Sequence, residues 1–364
     1  MRFLSCFTAL AIVFLSAAMA QDVVYPDVVP GYEIGFPRDE GSHTSFRTEW
    51  WYVTGWLETP QGDPLGFQVT FFRTRPGTQE SNPSRFAAKQ VLFAHAALSD
   101  PRRGKLLRGE RAAREGFGLA YAQPQRLDVA IEDWSLQRVD EGAASNGRYR
   151  AVVDTAEFAF DLQLQAQSSP LLNGKNGFSQ KAPDVRTASY YYSLPGLQVE
   201  GSLRTAAGTQ RVRGHAWLDH EWSTTFLDAQ TQGWDWTAIN LDDGGALMVS
   251  RMRDPTSAQR WAFASHRQAR GDEVQTFAPE QIEWQPLRRW RSPRTGIEYP
   301  VEWQVRVGER RIRLRPLMDD QESDTRASTG TIYWEGAVTA FDEGDRAIGR
   351  GYLELTGYGQ RLTF

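Results

Sequence analysis

One pattern recurs along the chain: an aromatic or β-branched run, a turn signal, then a second run of similar length. Trp50-Trp51-Tyr52-Val53-Thr54-Gly55-Trp56-Leu57 stops at Pro60-Gln61-Gly62-Asp63, and residues 65–73 return as a partner strand. Such runs suit a pleated, half-buried surface, and the turn residues suit a hairpin. Residues 91–98, 127–134 and 158–164 continue the pattern, and 197–203, 212–218 and 234–241 take it up in the second half. Asp242-Asp243-Gly244-Gly245 turns the chain into 246–252, and 301–307, 311–317, 332–341 and 349–355 complete it. Helical periodicity is almost absent, and at most one or two short helices are expected, near residues 82–89. Thirteen Trp and 32 Gly fit aromatic strands punctuated by turns. The expected fold class is all-β, built as barrels or sandwiches.

The N-terminus reads differently. Arg2 precedes an almost unbroken apolar stretch over residues 3–15, and Ala18-Met19-Ala20 offers the small-x-small pattern before a signal-peptidase cut. Residues 1–20 are therefore expected to be a signal peptide, leaving the mature protein periplasmic or secreted. The apolar run is short for a membrane span, and no later segment is apolar enough to cross as a helix. Cys6, the single cysteine, lies inside the leader. The mature chain thus has neither disulfides nor thiolates, which removes cysteine nucleophiles and Cys-type zinc sites. Without Arg2 the chain holds 40 basic and 45 acidic residues, a net charge of −5, which argues against a nucleic-acid partner.

Length suggests roughly two domains. The Pro- and Gly-bearing stretch 168–184 is the best linker candidate, so the expected division is 21–185 and 186–364. Two short echoes between the halves support similar β-domains. Trp51-Tyr52-Val53-Thr54 matches Trp234-Asp235-Trp236-Thr237, and Phe93-Ala94-His95-Ala96-Ala97-Leu98 matches Arg213-Gly214-His215-Ala216-Trp217-Leu218.

Strand alternation gives residues 214–222 a geometry. Ala216, Leu218, His220 and Trp222 share one face; His215, Trp217, Asp219 and Glu221 share the other. By the same parity Trp234 and Trp236 lie together, with Asp235 opposite. An imidazole beside an indole suits proton delivery to an unactivated alkene, whose cation the π-face would stabilise before water captures it. A structural reading stands beside this one. The Asp-His-Glu-Trp cluster can be a buried polar network, Trp50, Trp51 and Trp56 can be core, and His43 and His95 can be satisfied structural histidines. Glu49 needs a partner if buried, and Arg47, Arg251 and Arg253 are candidates. A zinc site assembled from His95, His215, His220 and Asp219 is the remaining metal reading, although no metal or cofactor is expected. There is no helical His-Glu-x-x-His pair, no Gly-x-Ser-x-Gly elbow and no phosphate-binding Gly loop.

Three segments go beyond generic β-structure. They are His43-x-x-Phe46-Arg47-Thr48-Glu49-Trp50-Trp51-Tyr52; Gly214-His215-Ala216-Trp217-Leu218-Asp219-His220-Glu221-Trp222 with Gly233-Trp234-Asp235-Trp236; and Tyr333-Trp334-Glu335-Gly336 with Gly349-x-Gly351-Tyr352-Leu353-Glu354. In order and spacing they resemble the AttH-like secreted proteins, whose relatives include the carotenoid 1,2-hydratases, over residues 32–358. Fungal intramolecular Diels–Alderases are similar in architecture. The resemblance implies two lipocalin-like barrels packed together, with a pocket for an apolar ligand near their junction, and association with export-type ABC transporters. Trp50, Trp51, Glu49, His43, His95, Trp217, Trp234 and Trp236 are the ligand contacts expected there. His220 and Trp222 match the His and Trp that the hydratases use. The Tyr and Asp expected on the strand after the Gly turn are missing, since it reads Leu247-Met248-Val249-Ser250; Asp219 or Asp235 would have to replace the acid. The expected function is an exported protein that binds a lipid or isoprenoid-like molecule. The alternatives are an enzyme hydrating or isomerising an alkene, a hydrolase, and an assembly partner of a transporter.

Overall fold

A computed structural model describes residues 23–139, 147–269 and 271–361; the expected leader lies outside them. Among these residues every regular element is a strand except two 3-10 turns, Arg38–Glu40 and Pro279–Gln281. The short helix expected near 82–89 is absent, and turns and bends replace it. Asn82 Oδ1 accepts the Ser84 backbone N–H and Ser84 Oγ accepts that of Phe86. Such local bonds compete with helix formation, and Pro83 has no N–H to contribute.

The strands form two antiparallel sheets of thirteen and ten strands, folded as two lipocalin-like barrels packed together. The first sheet joins two meanders through a late hairpin. Strands Thr48–Glu58, Pro64–Thr74, Val91–Ser99 and Leu107–Arg114 form one meander, and the strands from Ala120–Ala122 to Ala159–Gln165 form the other. Ala188–Thr205 and Gly208–Ser223 then return between them, so that Gly208–Ser223 pairs with Thr48–Glu58. The second sheet uses the same device, its last strand Ala347–Leu355 pairing with its first, Gly233–Leu241. The first echo in the sequence therefore links equivalent strands, each opening its own sheet. The second echo does not, because Val91–Ser99 is the third strand of the first sheet and Gly208–Ser223 its last.

The chain changes sheet between Ser223 and Gly233, so the strands on either side of 185/186 lie in one sheet. The stretch 168–184 carries two short strands, Leu171–Leu172 and Phe178–Gln180, both paired with Ala188–Thr205. The run expected over 127–134 divides at a turn where Glu132 takes φ 55°, giving Asp128–Ile131 and Trp134–Arg138.

Thr48–Glu58 is covered on both faces, which explains its unbroken aromatic run. Trp51, Val53 and Leu57 point into the first barrel with Phe67, Val69 and Phe71. Tyr52 and Trp56 point the other way and pack with Trp217 against Trp236, Ala238, Met248 and Tyr352 of the second sheet. Each large apolar side chain so buried contributes roughly 1.5–3 kcal/mol. The Trp56 indole N–H donates to the Gly351 carbonyl at 2.9 Å, tying the sheets together. Where they approach closely, a Cβ on Gly66 would stand 2.6 Å from that of Ala337, so the contact requires glycine.

Candidate functional site

The alternation along residues 216–222 places two different polar centres on opposite faces of one strand. Ala216, Leu218 and Trp222 pack inside the first barrel, and His220 lies among them with its ring 4.9 Å from that of Trp222. Asp219 and Glu221 face the second sheet.

Inside the barrel Glu49 is the hub. It is fully buried and stands directly opposite Arg73 on one neighbouring strand and Trp222 on the other. Arg73 Nε donates to Glu49 Oε2 at 2.8 Å, while His43 Nδ1 and His220 Nε2 lie 2.8 and 2.9 Å from Oε1. The His43 ring stacks on Trp222 at 3.8 Å between centroids, and His220 stacks on Trp51 at 4.8 Å. Burial by itself would raise the Glu49 carboxyl, but the charges of Arg73 and His43 override it and hold the group well below the usual carboxylate range. Burial lowers His43, yet Glu49 and Asp39 raise it overall; for His220 burial wins and the imidazole is held down. The centre is a carboxylate beside the Arg73 guanidinium, with His43 biased toward its charged form and His220 toward its neutral one.

Arg73 thus fills the role expected of Arg47, Arg251 or Arg253. Arg251 and Arg253 instead hold Asp235 at 2.6 and 3.1 Å, and Tyr358 donates its hydroxyl to that carboxylate at 2.9 Å. His43, Glu49 and His220 offer three metal-ligand atoms within 4.8 Å of one another. Glu49 Oε1 is already shared by both imidazoles, however, and a cation entering there would meet the Arg73 guanidinium. The other zinc set does not assemble. Asp219 and His220 face opposite sides of their strand, and His95 is taken by the Tyr333 hydroxyl and Ser328 Oγ, both at 2.9 Å.

Between the sheets lies a cavity of about 310 Å3. Trp50, Phe72, Phe226, Trp234, Trp236 and Phe263 supply much of its wall. Four carboxyl groups reach it, Asp219 and Glu221 from the first sheet and Glu335 and Glu354 from the second. Asp219 accepts bonds from Ser193 and Trp217 at 2.6 Å and from Tyr191 at 2.9 Å. Glu354 accepts the Trp234 indole N–H at 3.0 Å. Glu221 pairs with Lys181 at 2.6 Å and accepts the Ser189 hydroxyl. The Tyr52 hydroxyl and the Glu335 carboxyl interact with each other, both buried at the cavity wall.

Burial pushes the Asp219 carboxyl up to about 7 against the three bonds it accepts. Burial, then the neighbouring Glu354, holds Glu335 well above the carboxylate range, and burial raises Glu354 as well. Burial also raises Glu221 against the charge of Lys181, and it pushes His95 down to about 3. Burial thus biases Glu335 toward its protonated form beside an aromatic wall, the state a proton donor needs, while Asp219 and Glu354 are raised to about 7.

Of the residues expected at a site, Trp50, Trp234, Trp236, His95 and Asp219 reach the cavity. Trp217 stands behind it and holds Asp219. His43, Glu49, Trp51, His220 and Trp222 form the separate centre inside the first barrel, and Asp235 is buried in an ion-pair cluster of the second sheet. Sequence reasoning missed Lys181, Glu335 and Glu354 as site residues. The two glutamates sit in motifs already singled out, and alternation along Thr331–Phe341 and Ala347–Leu355 turns both away from the inward-facing Trp334 and Leu355.

Two lipocalin-like barrels enclosing an aromatic, acid-bearing cavity at their junction define the class as a double-barrel β-protein. The chain belongs to the AttH-like family, whose model matches residues 27–358. It is 48% identical to a crystal structure from Nitrosomonas europaea assigned to AttH, with a TM-score of 0.84 over 92% of this chain and 99% of that one. Kievitone hydratase from Nectria haematococca is 15% identical, with a TM-score of 0.68 over 93% and 97% of the two chains. CghA, solved with Sch210972, is 12% identical, with a TM-score of 0.54 over 94% and 97%. At these last two identities the likeness is one of fold. No curated protein matches the chain.

Proposed function

We propose that the protein is exported and holds one apolar molecule, of lipid or isoprenoid character, in the cavity between its barrels. The observation that carries this is about 310 Å3 of aromatic-walled space at the junction of the two sheets. Small-molecule sites run from roughly 300 to 1,000 Å3 and are mostly apolar with a few placed polar groups. Arg2, the apolar stretch 3–15 and Ala18-Met19-Ala20 support export. The association of AttH-like proteins with export-type ABC transporters supports a carrier that exchanges its ligand with such a machine.

A second reading is favoured by the raised Glu335 carboxyl. A carboxylic acid in an apolar pocket donates its proton to a carbon–carbon double bond, and the indole faces stabilise the cation. Water then adds and returns a proton to the carboxylate, giving hydration; loss of a neighbouring proton instead gives isomerisation. Glu335 is the favoured donor, because it lines the cavity and burial beside Glu354 holds its carboxyl well above the usual range. The hydration named in kievitone hydratase agrees with this chemistry on the same fold.

Native mass spectrometry of the protein from its own host, followed by organic extraction, tests the first reading. A single apolar molecule that is lost in Trp236→Ala supports it. A clean apo mass with no thermal shift across lipids and isoprenoids overturns it. The second reading expects Glu335→Gln to slow turnover of the extracted molecule in labelled water by about 10²–10⁴-fold, and an unchanged rate overturns it.

A further inference from the structure

The chain uses arginine almost wherever it needs a cation, with 37 arginines against four lysines. Lys89, Lys105 and Lys175 are exposed. The fourth, Lys181, follows the short strand Phe178–Gln180 and turns into the wall of the cavity, its side chain 1% exposed. Its Nζ lies 2.6 Å from Glu221 Oε1 and 3.0 Å from Ser179 Oγ. The rings of Phe263, Tyr191 and Phe226 stand 4.2, 4.8 and 5.4 Å from it, and all three line the same cavity. Burial holds the amine below its usual range, against the opposing charge of Glu221. Arginine would satisfy Glu221 as an ion-pair partner at least as well. Only lysine can surrender its proton and become a nucleophile.

We infer that Lys181 forms an imine with an apolar aldehyde or ketone bound in the cavity, with Glu221 shuttling the protons. The inference rests on the cavity being the ligand site. The Lys181 ammonium first gives a proton to Glu221, and the freed lone pair attacks the carbonyl carbon. As the C–N bond forms, the C=O π pair moves to oxygen, which takes the proton from Glu221. Nitrogen then passes a second proton to Glu221, which delivers it to the hydroxyl. Water leaves, and the nitrogen lone pair closes the C=N bond. The product is a protonated imine beside the Glu221 carboxylate, surrounded by three ring faces suited to a cation.

The test mixes the full mature protein with citral, an apolar aldehyde, and reduces with sodium borohydride. Intact mass and peptide mapping locate the adduct, while quenching of tryptophan fluorescence reports occupation of the cavity. The expected result is quenching with one reduced adduct on Lys181, in excess over the three exposed lysines. The adduct is lost in Lys181→Arg, which keeps a cation beside Glu221; Lys181→Met serves if that variant does not fold. Quenching without an adduct on Lys181 overturns the imine and leaves the cavity reading standing. Adducts spread over Lys89, Lys105 and Lys175 alone overturn it too. Neither quenching nor adduct overturns both.

Discussion

Glu335 and Glu354 stand directly opposite one another on adjacent antiparallel strands, and both turn into the cavity. Like charges so placed repel across a sheet, and in a low-dielectric site the pair retains a proton that an exposed carboxylate would lose. Protons leave such a pair in steps that belong to both groups together.

The pH dependence of stability should show the raised Asp219 carboxyl. Asp219 titrates near 7 in the folded state and near 3.9 when unfolded. A group raised on folding stabilises fully below its unfolded value, and that contribution is lost as pH climbs through the folded one. The unfolding free energy of the parent minus that of Asp219→Asn, from urea titrations, should therefore fall between about pH 4 and pH 7 and level off above, by an amount on the order of a few kcal/mol. A difference that grows over the same window would rule this out.

Glu49→Gln should cost stability without emptying the cavity. The change leaves Arg73, 1% exposed, without its countercharge, a loss of roughly 3–5 kcal/mol. Chemical denaturation measures the loss. A retained thermal shift with the cavity ligand would separate the barrel-interior centre from the binding site.

Trp236→Ala should abolish ligand binding and lower stability by about 3–5 kcal/mol, since the indole fills the cavity wall and donates to the Tyr191 hydroxyl at 3.1 Å. Calorimetric titration with the extracted molecule gives the answer. Unchanged affinity would place the ligand elsewhere.

Gly66→Ala should force the sheets apart at Ala337 and destabilise by roughly 1–3 kcal/mol. The same change at Gly62, a turn glycine with φ 86° and open space around it, gives the comparison for turn strain alone. A thermal midpoint for Gly66→Ala equal to the parent's would mean that the contact yields without cost.

Much of the fold was legible because strand alternation and turn chemistry are local. The face shared by Ala216, Leu218, His220 and Trp222 follows from pleating alone. Which face borders a cavity does not, because the second sheet decides that. The partner of Glu49 was within reach: counting back across the turn at Pro60-Gln61-Gly62-Asp63 sets Glu49 against Arg73, the register observed. Lys181 escaped notice because its segment is rich in Pro and Gly and reads as a linker. Its two short strands are held by pairing with Ala188–Thr205, a long-range contact that composition does not reveal. The helix expected near 82–89 failed for a local reason, the side-chain bonds of Asn82 and Ser84.

The late hairpin that completes the first sheet has a consequence for synthesis. A chain emerging from its N-terminus displays Thr48–Glu58 long before Gly208–Ser223 exists to cover its open edge. Until then one of the most aromatic strands in the protein is an unpaired template for the same strand of a neighbouring nascent copy. Truncation short of Gly208 would make that interval permanent.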